Sequence, residues 1–219
     1  MKKLLLFISF LFLLISGFAQ SEKYTKTMLQ RLAAMDTTRN VDGLRELSAG
    51  FERIAEAEKT QWQPFYYAAY NQVQSGYFLT QGSISGGMAA SLDPIADKAE
   101  QLLNKAEALS KDNSEIYIVK KMIASLRMMG DPMNRYMQFG PVAAEALQNA
   151  KTLNPENPRI YLLEAQDKYF TPEQYGGSKT EAKKLFETAL AKFDAFKPAT
   201  ELDPSWGRQA AEYFLSQIK

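Results

Sequence analysis

A recurring triplet of a small residue, a large apolar residue and an alanine is the feature that most constrains this fold. Its three clear copies and one looser copy are Ala99-Leu103-Ala106, Ala143-Leu147-Ala150, Ala182-Phe186-Ala189 and the looser Leu47-Phe51-Ile54. Offsets of four and three residues place the members of each triplet on one face of an α-helix. Small residues on that face let a second helix approach closely, so the triplets predict stacked pairs of helices.

Helical periodicity covers most of the chain, and the alternating β-branched runs typical of strands are missing. The predicted helices are residues 22–34, 41–58, 62–78, 93–110, 114–129, 141–153, 158–170, 178–196 and 205–218. Three of them start where a capping residue precedes a proline, at Asp93, Asn157 and Asp203. Gly130 before Asp131-Pro132 is typical of a helix stop. The sequence therefore predicts an all-α fold of about nine helices, paired antiparallel and stacked as a solenoid.

The residues that follow the triplets resemble those of the tetratricopeptide repeat (TPR) family. Pro155 follows Ala150 by five residues, and an aromatic residue, Tyr161, then opens the next helix. Tyr117 and Phe65 hold the equivalent position after the first and the loose copy, and Ala165 and Ala69 match the small residue of the family's first helix. The resemblance covers most of residues 41–218, and it implies a TPR-like solenoid that takes part in protein–protein interaction.

The repeats depart from the family's pattern in three ways. Lys111 replaces the proline in one copy, and Lys121 lies where a small residue is expected. The copies are also 44 residues apart between Ala99 and Ala143, and 39 between Ala143 and Ala182, whereas the family's period is about 34. We interpret them as divergent repeats with inserted loops. An ordinary antiparallel bundle with chance alanines is the alternative.

The first 19 residues have the pattern of a secretory signal peptide. Lys2 and Lys3 precede an apolar run, and small residues at Gly17 and Ala19 predict cleavage after Ala19. The alternative is an uncleaved anchor, but the run is shorter than the roughly 20 residues that span a bilayer. No cysteine follows the run, which excludes a lipoprotein anchor. The expected mature chain, residues 20–219, is a single helical-repeat domain, periplasmic or secreted, without stable membrane insertion.

Charge and missing residue types exclude several functions. Without Lys2 and Lys3, the 26 basic side chains fall to 24 against 25 acidic ones, a net charge of −1. With this charge balance, the chain lacks the excess of positive charge by which proteins bind nucleic acid or an anionic lipid surface. The chain has no histidine and no cysteine, so Ser-His and Cys-His nucleophiles and zinc sites built on imidazole or thiolate are impossible. We expect no catalytic residue, metal or cofactor.

The stretch YGGSKT, residues 175–180, invites comparison with a phosphate-binding loop. The glycine that such a loop needs six residues before its lysine is Glu173 here, and the preceding segment is helical. Instead, Gly176 and Gly177 predict a turn, and Ser178 a helix cap that Glu181 could complete as a capping box.

Three long connections are predicted at one edge of the solenoid: residues 79–92, 131–140 and 171–177. Insertions on one face of a repeat protein often mark its binding side. The aromatic and polar residues there are Tyr77, Phe78, Asn134, Arg135, Tyr136, Phe139 and Tyr175. They predict a recognition patch, since Arg and Tyr are typical interface anchors. The alternative is that they pin long loops to the scaffold.

The aromatic segment WQPFYYAAYNQV, residues 62–73, carries aromatic side chains on two helix faces. Burial between neighbouring helices is the first interpretation. The second is the wall of a groove, for example a platform for a saccharide.

These patterns predict a non-enzymatic scaffold of the bacterial periplasm or cell envelope, which binds an unidentified protein or peptide on its concave surface or its long-loop edge. Self-association is compatible with such a scaffold. The alternative function is a periplasmic carrier of a small ligand, with an aromatic-lined pocket between helices. A divergent hydrolase is a third function, disfavoured because histidine and cysteine are missing.

Overall fold

The computed structural model describes residues 22–80 and 86–218. Within these ranges it has nine α-helices and no strand, which confirms the all-α prediction. The helices are α1 (22–37), α2 (Val41–Glu58), α3 (Trp62–Thr80), α4 (Ala89–Leu109), α5 (Ser114–Met129), α6 (Pro132–Leu153), α7 (Pro158–Phe170), α8 (Lys179–Ala195) and α9 (Arg208–Gln217). The predicted signal peptide lies outside the described residues. None of the described helices is long and apolar enough to cross a membrane.

Most successive helices of the described residues pack on one another as antiparallel neighbours. Helix α3 packs against α2, α4 and α5, and α5 packs against both α4 and α6. Helix α7 then packs mainly on α8, and α8 on α9. The order is that of a stack of helix pairs, in which every second turn lies at the same end.

Local capping side chains explain several of the helix starts. Asn157 Oδ1 accepts a hydrogen bond from Arg159 N at 3.0 Å, and Ser178 Oγ accepts one from Glu181 N at 3.1 Å, which confirms both predicted caps. The capping box is wrong in its second half, because the Glu181 carboxylate pairs with Lys168 at 2.7 Å instead.

Two predicted helix starts are wrong. Helix α4 begins at Ala89 and carries Pro94 inside its second turn, so Asp93 is not its cap. Helix α9 begins at Arg208, because Asp203 accepts a hydrogen bond from Thr200 N in a turn before the helix. In both cases the carboxylate takes a partner other than the helix terminus.

The predicted long connection 131–140 is also wrong, because α6 begins at Pro132 and runs straight through Gly140 and Pro141. Pro132 occupies the first turn, where its missing N–H costs nothing. The early turns are held by Arg135, whose guanidinium forms two hydrogen bonds with the Asp93 carboxylate of α4, at 2.6 and 2.8 Å.

The hydrophobic core is divided into two clusters. The larger comprises buried side chains of α1–α6 with a few from α7, and the smaller lies among α7, α8 and α9. Every member of the three clear triplets is buried, whereas Ile54 of the loose copy is only partly so. Tyr66 and Tyr67 are fully buried in the larger cluster, so the first interpretation of the 62–73 aromatics is confirmed.

A non-helical segment links α8 to α9, residues 196–207, which we call the strap. It packs against the N-terminal half of α3 and the start of α7, where Gln63, Tyr67 and Arg159 donate hydrogen bonds to it. Leu202 enters the larger core cluster, and the Trp206 ring lies 4.5 Å from the Tyr70 ring, measured between centroids. The strap thereby ties the C-terminal helices to the centre of the stack.

Candidate functional site

A groove of about 330 Å³ lies between α4 and α6, with α5 as its floor. We call it the outer groove. Its apolar lining comes from all three helices: Leu103 of α4, Ile123 and Ala124 of α5, and Phe139, Val142 and Ala146 of α6. A second depression of about 390 Å³ adjoins it toward the α4–α5 turn, and Tyr117 and Asn104 line both.

The sequence of α5 explains why the floor of the groove forms there. Tyr117, Lys120, Ala124 and Arg127 are spaced by three or four residues, so they share one face of the helix. The opposite side of α5 carries Ile118 and Leu126 into the core, where both are fully buried. Since Ala124 has only a methyl group, the middle of the floor is low, while longer side chains stand at either end.

Two cations lie along this floor, and each is paired with carboxylates. Lys120 Nζ is 2.6 Å from Glu107 and 4.8 Å from the centroid of the Tyr117 ring. Arg127 bridges two carboxylates of α4, Asp97 at 2.7 Å and Glu100 at 2.9 Å. The ion pairs hold both cations beside an apolar surface, where they remain able to contact an anionic group of a ligand.

Three of the seven predicted patch residues form hydrogen bonds within the helical stack. Tyr77 Oη donates to Met122 O of α5 at 3.0 Å, and Asn134 Nδ2 donates to Asp131 at 2.7 Å. Arg135 holds Asp93, and this hydrogen bond and charge keep the pKa of the Asp93 carboxyl below its usual range. These contacts are those expected of residues that fix helix ends.

The other four predicted patch residues differ in their surroundings. Phe139 lines the outer groove, and Arg135 lies 5.9 Å from its ring centroid. Phe78 is exposed at the end of α3, and Tyr175 is 67% exposed in the α7–α8 turn. Tyr136 is 61% exposed near the start of α6, beside the more exposed Met133 and Met137. The seven residues therefore differ in exposure and in the contacts that they make.

Sequence reasoning missed the floor of the groove. The repeat pattern assigns Tyr117 only the role of the aromatic residue that opens a repeat helix, and it assigns no role to Lys120 and Arg127. The signal was present in their spacing on one helix face around a small residue. What the sequence does not reveal is that α4 and α6 diverge over this face and leave it open.

Within residues 22–80 and 86–218, no group of three or more Asp or Glu side chains is placed to hold a metal ion. The arrangement can hold a ligand by apolar contact, ring stacking and charge.

No protein-family model matches the chain, and a search of curated proteins found no significant match. Among solved structures, the chain is similar to the HusA haemophore from Porphyromonas gingivalis. The two are 33% identical, with a TM-score of 0.76, and the alignment covers 90% of this chain and 92% of that one.

Proposed function

The chain belongs to the family of the HusA haemophore, and from this premise we propose that it is an exported, non-enzymatic carrier that binds a haem-type porphyrin in the outer groove. The observation that carries the proposal is the groove itself, an apolar surface between helices with an aromatic ring at one end and two cations along its floor. Of the functions that the sequence left open, the small-ligand carrier is the one that this geometry favours.

The shape of the outer groove suits a flat, largely apolar ligand. Binding sites for small molecules are concave, mostly apolar and about 300–1,000 Å³ in volume. The outer groove, at about 330 Å³ with a second depression adjoining it, lies within that range. The Phe139 ring and the aliphatic Val142 form one wall, against which a porphyrin face can pack.

The charges of the floor suit the carboxylates of a porphyrin. Lys120 and Arg127 are seven residues apart, a separation of about 10 Å along an α-helix. Both cations are already paired with carboxylates of α4. A ligand carboxylate therefore gains a charge-assisted hydrogen bond only by displacing one of those carboxylates.

Tyr117 is the side chain that we assign to the iron. The chain has no histidine or cysteine, the residues that most often hold haem iron, and tyrosine is a known haem ligand. Tyr117 lies where the two depressions meet, so its phenol reaches ligands in either. The iron would supply one coordinate bond, and the groove would supply the apolar contacts.

The test is a titration of the mature protein with haemin, followed by the absorbance of the bound porphyrin. We expect Tyr117→Phe to weaken haemin binding at least tenfold and to shift the spectrum, while its affinity for metal-free protoporphyrin stays unchanged. Tyr136→Phe is the matched control and should do neither. Wild-type haemin affinity and spectrum in Tyr117→Phe would contradict the assignment of the iron ligand.

A second pair of variants tests the location of the site without changing Tyr117. Val142→Glu places a carboxylate on the groove wall and should weaken binding of both porphyrins at least tenfold. Ala144→Glu adds the same charge two residues away, at an exposed position that does not line the groove, and should leave binding unchanged. Equal effects of the two substitutions would place the ligand elsewhere.

Export is part of the proposal, with cleavage after Ala19. N-terminal sequencing of the protein recovered from outside the cytoplasm should begin at Gln20. An intact N-terminus beginning at Met1 would contradict it.

We also propose that the stacked helix pairs are divergent tetratricopeptide repeats, because the residues of the three clear triplets are buried where helices meet. A scaffold that binds a protein partner is then the second candidate function. The observation in its favour is the uncharged, exposed cluster of Met133, Tyr136 and Met137. Capture of one stoichiometric envelope protein by the wild type, lost with Met137→Glu and kept with Val142→Glu, would support that function.

A further inference from the structure

The strap is held by the pattern of contacts with which a protein binds a peptide. Three alternate carbonyl oxygens of the strap each accept a hydrogen bond from a side chain of the stack. Tyr67 Oη donates to Leu202 O at 3.0 Å, Arg159 Nη2 to Pro204 O at 2.7 Å, and Arg159 Nη1 to Trp206 O at 3.1 Å. Bonds to carbonyls fix the path of a backbone whatever side chains it carries.

Side chains of the strap add to these backbone contacts. Leu202 and Pro204 are buried, and the Trp206 indole donates to Tyr66 Oη at 2.9 Å. Gln63 Nε2 donates to an Asp203 carboxylate oxygen at 3.0 Å. A leucine, a proline and a tryptophan at alternate positions therefore anchor the segment, and these anchors define the sequence that the surface accepts.

The receiving surface is preorganised by bonds that do not involve the strap. The fully buried Arg159 guanidinium forms hydrogen bonds of 2.7 to 3.1 Å with both carboxylate oxygens of Glu115. Asn157 Nδ2 donates to the same carboxylate at 2.8 Å, and Tyr66 Oη does so at 3.2 Å. Donors held in place in this way lose little entropy when a peptide arrives.

We propose that this surface, formed by α3, α5 and α7, is a second binding site of the protein. Its ligand class is a non-helical peptide with the pattern Leu-x-Pro-x-Trp, and its partner in trans is the strap of a second copy of this chain. The strap of a second copy would make the same contacts that the chain's own strap makes within one molecule. Within the strap, the exposed residues 197–201 tether the anchored residues 202–206 to α8. This tether gives the anchored residues an effective concentration of the order of millimolar, so the cis form dominates until they are released.

The test uses a fluorescent peptide of residues 199–208, ATELDPSWGR, and a full chain whose own strap is weakened by Leu202→Ala and Trp206→Ala. We expect the peptide to bind this variant at least tenfold more tightly than it binds the wild-type chain, whose site is occupied. The same peptide carrying Trp206→Ala should not bind. Equal binding to the variant and the wild type, or equal binding of the two peptides, would overturn the proposal.

A second measurement needs no change to the protein. A peptide with a photoreactive leucine analogue in place of Leu202, added above the roughly millimolar effective concentration of the tethered strap so that it displaces the strap of the wild-type chain, should label residues 63–70 of α3 when irradiated. Labelling that is absent, or that lies on other helices, would overturn the proposal even if the doubly substituted chain failed to fold.

Discussion

The ion pair of Arg159 and Glu115 is the most consequential residue-scale feature, because both groups are buried and share several hydrogen bonds. We expect Arg159→Met to lower the free energy of unfolding by about 3–5 kcal/mol, since it leaves the Glu115 carboxylate buried without its cation. Urea unfolding followed by circular dichroism measures the change. Lys192→Met is a control that removes a cation paired with the largely exposed Glu156 and should cost at most about 1 kcal/mol.

Substituting both residues separates the free-energy cost of leaving one buried charge unpaired from the free energy that the ion pair itself contributes. We expect Glu115→Met with Arg159→Met to cost less than the sum of the two single substitutions, because no unpaired charge then remains. Strict additivity of the three free energies would show that the two side chains act independently.

At the scale of elements, the sequence predicts what is decided locally and misses what is decided at a distance. Asn157 and Ser178 cap helices through bonds to residues two and three positions away, so their pattern is readable. The start of α6 depends on Arg135 reaching Asp93, 42 residues earlier, and the strap is held by side chains of α3 and α7. The outer groove likewise depends on the divergence of α4 and α6 over α5, which no single helix encodes.

Helix α6 begins nine residues earlier than predicted, and a substitution within this added part can test it. Gly140 lies inside the helix, and a Cβ there would meet the Tyr136 ring at 3.4 Å, an ordinary contact. The usual gain in a helix interior is offset here, because the new Cβ meets Cδ of the following Pro141, so we expect Gly140→Ala to change the free energy of unfolding by less than about 0.5 kcal/mol.

The matched control for that substitution is Gly176→Ala in the α7–α8 turn. Gly176 has a φ of +91°, where a residue with a Cβ is strained, so this change should destabilise by about 1 kcal/mol or more. If Gly140→Ala destabilised the protein as much as Gly176→Ala, residues 132–140 would not be a regular helix in solution.

The two core clusters divide the molecule into two parts, which follow one another along the chain. The larger cluster is formed mainly by buried side chains of α1–α6, and the smaller by buried side chains of α7, α8 and α9. Tyr161 and Trp206 pack against both clusters, and Arg159 and the strap connect the two parts. The outer groove belongs entirely to the larger part, and the strap site spans both, so the two proposed ligands engage the stack differently.

The stability of the whole molecule should depend on pH only at the extremes. Burial raises the pKa of Tyr66 and Tyr67 well above the usual value. Their neutral form is favoured in the folded state, so the stability that they contribute is complete below about pH 10 and is lost as the pH rises further. The hydrogen bond and charge of Arg135 lower the pKa of Asp93, so its contribution is present above about pH 4 and is lost as the pH falls.

Between these limits the chain has no histidine or cysteine to titrate. We therefore expect the urea midpoint to be constant between about pH 5.5 and 8.5, and to decrease above about pH 10 and below about pH 4. Tyr67→Phe should reduce the alkaline decrease, and Asp93→Asn should reduce the acid decrease. A midpoint that changed near pH 6.5 would contradict this expectation, because the chain has no histidine, the side chain that ordinarily titrates there.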